Sequence, residues 1–138
     1  MARTLTVEEI RSATMASIAS TWATKTVINM PNQPFTAPTN AAWIRPRLKF
    51  GETFYGEIGD AGGIGVRTGV LMISIFVPPG TGIKIANGYA NTLEKLFRRK
   101  DIGEVMFKEP NTDFVGMDEG NGFYHLLVSC DFEAFISE

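Results

Sequence analysis

A single cysteine and a single histidine occur in the 138 residues, which leaves few of the groups on which nucleophilic or metal chemistry depends. Cys130 alone excludes an internal disulfide and a multi-cysteine zinc site, and it agrees with a reducing compartment. An excess of positive charge is also missing. Thirteen Lys and Arg stand against fifteen Asp and Glu, for a formal net charge of −2 and a pI near 5.5, so nothing draws the chain to a phosphate backbone. Sequence-specific nucleic-acid binding is not expected. Long apolar runs are absent as well. The longest, Val70 to Pro79, is interrupted and too short to span a bilayer, and Met1 to Glu9 lacks the apolar stretch of a secretory signal. The expected place of synthesis and assembly is a cytosol, with no membrane partner.

What is present is ordinary globular material. Hydrophobic residues make up 44% and charged residues 20%, values that fit neither disorder nor a fibrous repeat. A chain of this length forms one domain, here taken as residues 1–138, and buries about two-thirds of its unfolded surface. Thr6-Val7-Glu8-Glu9 has the form of a capping box, and Val7, Ile10, Thr14, Ile18 and Trp22 follow at helical spacing. The spacing predicts a helix from about Val7 to Thr21. Val27 to Met30 reads as a short strand, and Pro31, Pro34 and Pro38 punctuate the loop after it.

From Ala42 to Phe50 the residues alternate, with Ile44, Pro46, Leu48 and Phe50 on one face and Trp43, Arg45, Arg47 and Lys49 on the other. Proline cannot donate to a ladder, so Pro46 places part of this strand at an edge or a bulge. Gly51 to Gly65 reads as a long glycine-rich loop. Val70 to Val77 is apolar on both parities, as a central strand covered on both faces would be. A second helix is expected from Gly82 to Arg99, with Ala86, Tyr89, Leu93, Leu96 and Phe97 in one stripe and Arg98-Arg99-Lys100 suiting the dipole at its end. Two closing strands, near Glu104 to Lys108 and Gly122 to Phe135, flank a polar connection. The class is α+β in the order α-β-β-β-α-β-β, a mixed and mainly antiparallel sheet with two helices on one face. Two helices leave the other face with little cover, so either the row Leu71, Ile73, Ile75, Val77 or the row Val70, Met72, Phe76 is free to become an interface.

Each candidate for chemistry has a plainer reading. Pro78-Pro79-Gly80-Thr81-Gly82-Ile83-Lys84 lies between a strand and a helix, but a phosphate loop needs G-x-x-x-x-G-K-[ST]. Val77, Ile83 and Lys84 occupy its first glycine, lysine and hydroxyl positions. His125 and Cys130 are five apart on one strand, so alternation sends them to opposite faces; Cys130 joins the core parity, and His125 shares a face with Ser129, Asp131 and Glu133. Asp113, Asp118 and Glu119 match no calcium-loop spacing. No catalytic residue, cofactor site or metal site emerges, and the chain is not expected to be an enzyme.

The whole pattern is more informative than any one site. Met30-Pro31-Asn32-Gln33-Pro34-Phe35, Ala42-Trp43-Ile44-Arg45, Arg67-Thr68-Gly69, the strand end Phe76-Val77-Pro78-Pro79-Gly80-Thr81-Gly82, Leu93 to Phe97, Gly122-Phe123-Tyr124 and Asp131-Phe132-Glu133 together resemble the phage tail-terminator family, that of lambda-like siphophages. The resemblance implies a structural virion protein, assembled in the host cytoplasm. It implies a ring, hexameric in that family, that caps the head-proximal end of the tail tube, ends its polymerisation and meets the neck. Its partners would be further copies of itself, the major tail tube protein and a neck or head-completion protein, with DNA passing through the lumen. A head–tail connector or tail-completion protein is the alternative; a small cytosolic enzyme or nucleotide-binding module is the alternative of another class.

One interface follows from the residues. Glu52, Phe54, Tyr55, Glu57 and Asp60 give the segment Glu52 to Ile64 aromatic anchors and only negative charge. Arg45, Arg47 and Lys49, or Arg98, Arg99 and Lys100, supply the complement on an adjacent copy. The segment is then either a docking element or a flexible hairpin connection, and the basic row either a contact patch or a solvated strand face.

Overall fold

The computed structural model describes residues 6–22, 25–30, 33–36, 38, 40–55, 64–80, 83–102, 105–117 and 122–137, without the side chains of 54, 55, 64 and 135–137. Helix α1, Val7–Trp22, opens with the capping box that the sequence announces. The Thr6 amide donates to Glu9 Oε1 and the Glu9 amide to Thr6 Oγ1, each at 3.1 Å, which satisfies two amides that have no partner inside the helix. Ile10, Thr14, Met15, Ile18 and Trp22 are its buried stripe. The Thr14 hydroxyl removes its own burial cost by donating to the Ile10 carbonyl at 2.8 Å.

Six strands follow: β1 Val27–Ile28, β2 Trp43–Tyr55, β3 Ile64–Val77, β4 Asp101–Ile102, β5 Val105–Met117 and β6 Tyr124–Ser137, with helix α2, Ile83–Phe97, between β3 and β4. They form one sheet in the order β1-β2-β3-β6-β5-β4, antiparallel throughout except where β1 runs parallel to β2. The α+β class and the expected order of elements hold, with the two-residue β4 as an addition.

The strands reach further than local composition suggests. Gly51 to Gly65 is not one long loop: β2 continues through Glu52–Tyr55 after a bulge and pairs with Gly65–Arg67 of β3, while residues 56–63 lie outside the described residues. The polar stretch after Lys108 is likewise strand, for β5 runs to Met117 with register shifts at Phe107/Pro110 and Phe114/Gly116. Cross-strand pairing overrides the weak strand preference of glycine, proline and aspartate at these positions.

Pro46 confirms the edge that its chemistry requires. The Asn29 amide donates to the Ile44 carbonyl at 2.8 Å, so the backbone of Ile44 points away from β3, and by alternation so does that of Pro46. Its missing N–H falls on the outer side of β2, where no ladder bond is lost.

Both helices cover one face. Leu71, Ile73, Ile75 and Val77 of β3 and Leu126, Val128, Cys130, Phe132 and Ala134 of β6 meet Ile10, Ile18, Trp22, Ala86, Leu93 and Phe97 there. Burial of each such Leu, Ile or Phe contributes about 1.5–3 kcal/mol. Gly69 is fixed by packing in this core: a Cβ would stand 2.4 Å from Phe132 Cζ and 2.7 Å from the Lys49 carbonyl oxygen. Its absence lets Phe132 reach across β3 to Phe50, edge to face at 5.8 Å.

Candidate interaction surface

The face of the sheet opposite the helices is organised in rows. Trp43 of β2, Phe76 of β3 and His125 of β6 are direct partners across three strands. Their rings stack, Trp43 on Phe76 at 4.2 Å and 17°, and His125 on Phe76 at 4.4 Å and 18°. Phe35 leans on Trp43 at 5.1 Å and Arg45 lies 5.5 Å from the Phe76 ring. With Phe123, these rings form a second small cluster that hides Trp43 and Phe76 without any helix. The row Val70, Met72, Phe76 is therefore not a bare apolar face. Val70 and Met72 are half-buried between Lys49 and Asp131 and between Arg47 and Ser129.

Arg45, Arg47 and Lys49 follow the Trp43 row down β2 on the same face. Arg47 and Lys49 are exposed; Arg45 is half-buried, and burial first, then the neighbouring Arg47, pushes its pKa down. Among the described residues Arg47 and Lys49 have no ion-pair partner.

The second basic group differs. Arg98 donates from Nε to Glu109 Oε2 at 2.6 Å and from an Nη to Glu94 Oε1 at 2.7 Å, Arg99 lies 3.6 Å from Glu109, and Lys100 is exposed. Thr112 donates to the second Glu94 oxygen, which ties the end of α2 to β5. Arg98 thus serves the fold. Of the acidic segment, Glu52 is exposed on β2; Phe54 and Tyr55 lie on the strand, their backbones paired with Val66 and Gly65; Glu57 and Asp60 lie outside the described residues.

Cys130 and His125 occupy opposite faces of β6, as alternation requires. The Cys130 thiol is buried in the core and donates to the Lys108 carbonyl at 3.2 Å, and burial pushes its pKa up to about 11. A thiol of that kind is a poor nucleophile at neutral pH. Thr81 and Gly82 lie outside the described residues, and Lys84 is exposed. The open recesses include one of about 480 Å³ between α1 and the segment after β1, whose one charged lining side chain among the described residues, Arg11, is paired with Glu8. Among the described residues no three His, Cys, Asp or Glu side chains are placed to hold a metal ion. No described helix is long and apolar enough to cross a membrane.

These features define a domain whose distinctive surfaces are strand edges and a charged sheet face. The family profile described as "Phage tail terminator protein" matches residues 9–114. The chain belongs to that family and is a structural component of a phage tail. Among solved structures, one aligns with a TM-score of 0.70 over 94% of this chain and 96% of its own, at 17% identity, a likeness of fold. No curated protein matches in sequence. Sequence reasoning missed the aromatic row across β2, β3 and β6, although the alternation of Trp43 with Arg45 and of His125 with Ser129 contained its parity; only the register aligns the three rings.

Proposed function

We propose that the protein is the terminator proper: six copies form a ring on the head-proximal end of the finished tail tube, stop its growth and present a surface to the neck. The observation that carries this reading is the family match over residues 9–114, on a fold whose sheet ends, among the described residues, in the two-residue outer strands β1 and β4. The protein acts by geometry and not by catalysis. The segment Glu52 to Ile64, with Glu52, Phe54, Tyr55, Glu57 and Asp60, docks on the neighbouring copy or the tube, and Arg45, Arg47 and Lys49 set orientation more than affinity. The lumen admits the passing DNA without reading its sequence.

The test is native mass together with negative-stain images of the protein mixed with tail tubes. A hexamer seated as a disc on one end of each tube is the expected result. Binding to tail-less heads and not to tubes would replace this reading with a connector, and no binding to either would remove it.

A further inference from the structure

Among the described residues, β2 and β5 each lack an outer backbone partner over most of their length. On β2, β1 pairs only with Trp43 and Ile44, and the Asn29 amide adds one bond at Ile44. Beyond it, among the described residues, the edge from Arg45 to Tyr55 has no backbone hydrogen-bond partner, with Asn29, Met30 and Gln33 flanking it as far as Leu48 and Pro46 offering no donor there. On β5, β4 pairs with Val105 and Met106, and Arg99 and Lys100 extend this cover to Lys108. Among the described residues, the edge from Glu109 to Met117 then has no outer backbone partner. Open edges of this length invite pairing with another chain.

From these edges we infer that β2 of one copy and β5 of the next join in an antiparallel pair, so that a second copy of this chain continues the sheet. The inference deepens the ring reading and rests on it for closure. Three observations carry it. The first is polarity. Each step β2–β3, β3–β6 and β6–β5 is antiparallel, so β2 and β5 run in opposite senses. Copies set side by side in one orientation bring β5 against β2 antiparallel, a head-to-tail contact of the kind that closes rings.

The second is apolar exposure. Phe114, Val115 and Met117 are 58%, 56% and 71% exposed, three large apolar side chains in the last four residues of an unpaired edge. Glu109, Pro110 and Asp113 guard the first part of this edge, whereas Phe114 to Met117 carries neither charge nor proline and, among the described residues, has no covering strand.

The third is register and charge. Arg45, Ser74, Leu127 and Asp113 share one row across the sheet, so unshifted copies would set Asp113 level with Arg45. There β1 stands in the way. A stagger of about four residues moves β1 and β4 past the ends of their neighbours and sets the two open stretches against each other; an even shift keeps like faces together. It also sets Asp113, exposed and without an ion-pair partner among the described residues, across from Lys49 with Arg47 next on the same face.

The experiment compares native mass, by sedimentation over a wide concentration range, for the wild type, Asp113→Lys, Lys49→Asp and the double exchange. Far-UV circular dichroism and urea midpoints control for folding, since both side chains are exposed. Each reversal should lower self-association at least tenfold without moving the midpoint, and the double exchange should restore it. Reversals that leave the mass unchanged overturn the edge contact while the ring stands. An open dimer or filament that depends on the same charges keeps the contact and removes the ring. A wild type that stays monomeric at every concentration overturns the edge pairing.

Discussion

The His125 imidazole stacks on Phe76, ring centroids 4.4 Å apart and planes 18° apart, across the β3–β6 ladder. The contact gives the lone histidine a packing role on the face opposite Cys130. His125→Gln should therefore cost about 0.5–1.5 kcal/mol, the value of an aromatic pair, and leave tail assembly intact. Urea unfolding and infection complementation measure the two quantities. A fully folded variant that fails in assembly would assign the histidine a functional contact.

Cys130 predicts a pH dependence with a definite sign. Its thiol stays protonated in the folded chain up to about 11, whereas a thiol in the unfolded chain titrates near 9.0. Between those values the unfolded state releases a proton that the folded state keeps, so stability falls as pH rises, and below that window the thiol contributes no slope. Cys130→Ser, which retains a donor for the Lys108 carbonyl, should be modestly destabilised at pH 8, and the wild type should lose more stability than the variant between pH 8 and pH 10.5. Parallel slopes for both proteins would show that the thiol titrates alike in both states.

How far these residues could be read without coordinates depended on the range of the interaction. The α1 capping box is contained in four consecutive residues, and Thr6 and Glu9 make it as written. The edge position of Pro46 and the opposite faces of His125 and Cys130 follow from alternation along one strand. The extension of β2 through Glu52–Tyr55 and of β5 to Met117 does not, because glycines and polar residues there are held by partners distant in sequence, Gly65–Arg67 and Tyr124–Leu127. For the same reason Arg98 reads as a free cation beside Arg99 and Lys100, while Glu109, eleven residues on, engages it. The candidate surface was half legible: Arg45, Arg47 and Lys49 share one face by parity, but Asp113 enters only through the strand order.

Two glycines should respond in opposite ways to one added methyl group. Gly69→Ala drives a Cβ to 2.4 Å from Phe132 Cζ and 2.7 Å from the Lys49 carbonyl, and overpacking of this kind costs about 1–3 kcal/mol. Gly88 lies within α2, exposed, with nothing inside 4 Å of an added Cβ. Gly88→Ala should stabilise by about 0.5–1 kcal/mol, since it lowers the entropy of the unfolded chain. Thermal and urea midpoints check both, and equal effects of one sign would refute the packing account of Gly69.

Adjacent residues of β3 separate the fold from the interface. Ile73 is 1% exposed and packs beneath the helices, so Ile73→Asp strands a carboxylate in the core and should cost more than about 4 kcal/mol, enough to unfold a domain of this size. Met72 lies on the other face, half-buried, with Arg47 directly across on β2 and Ser129 across on β6. An aspartate there meets a guanidinium and water, and Met72→Asp should remain folded within about 1 kcal/mol of the wild type. Because the edges of β2 and β5 join the copies in the proposal above, this variant should also still self-associate. Sedimentation and circular dichroism decide the matter. A folded Met72→Asp monomer would move the interface from the strand edges to the sheet face, and unfolding of both variants would mean that the outer face is as much a part of the core as the inner one.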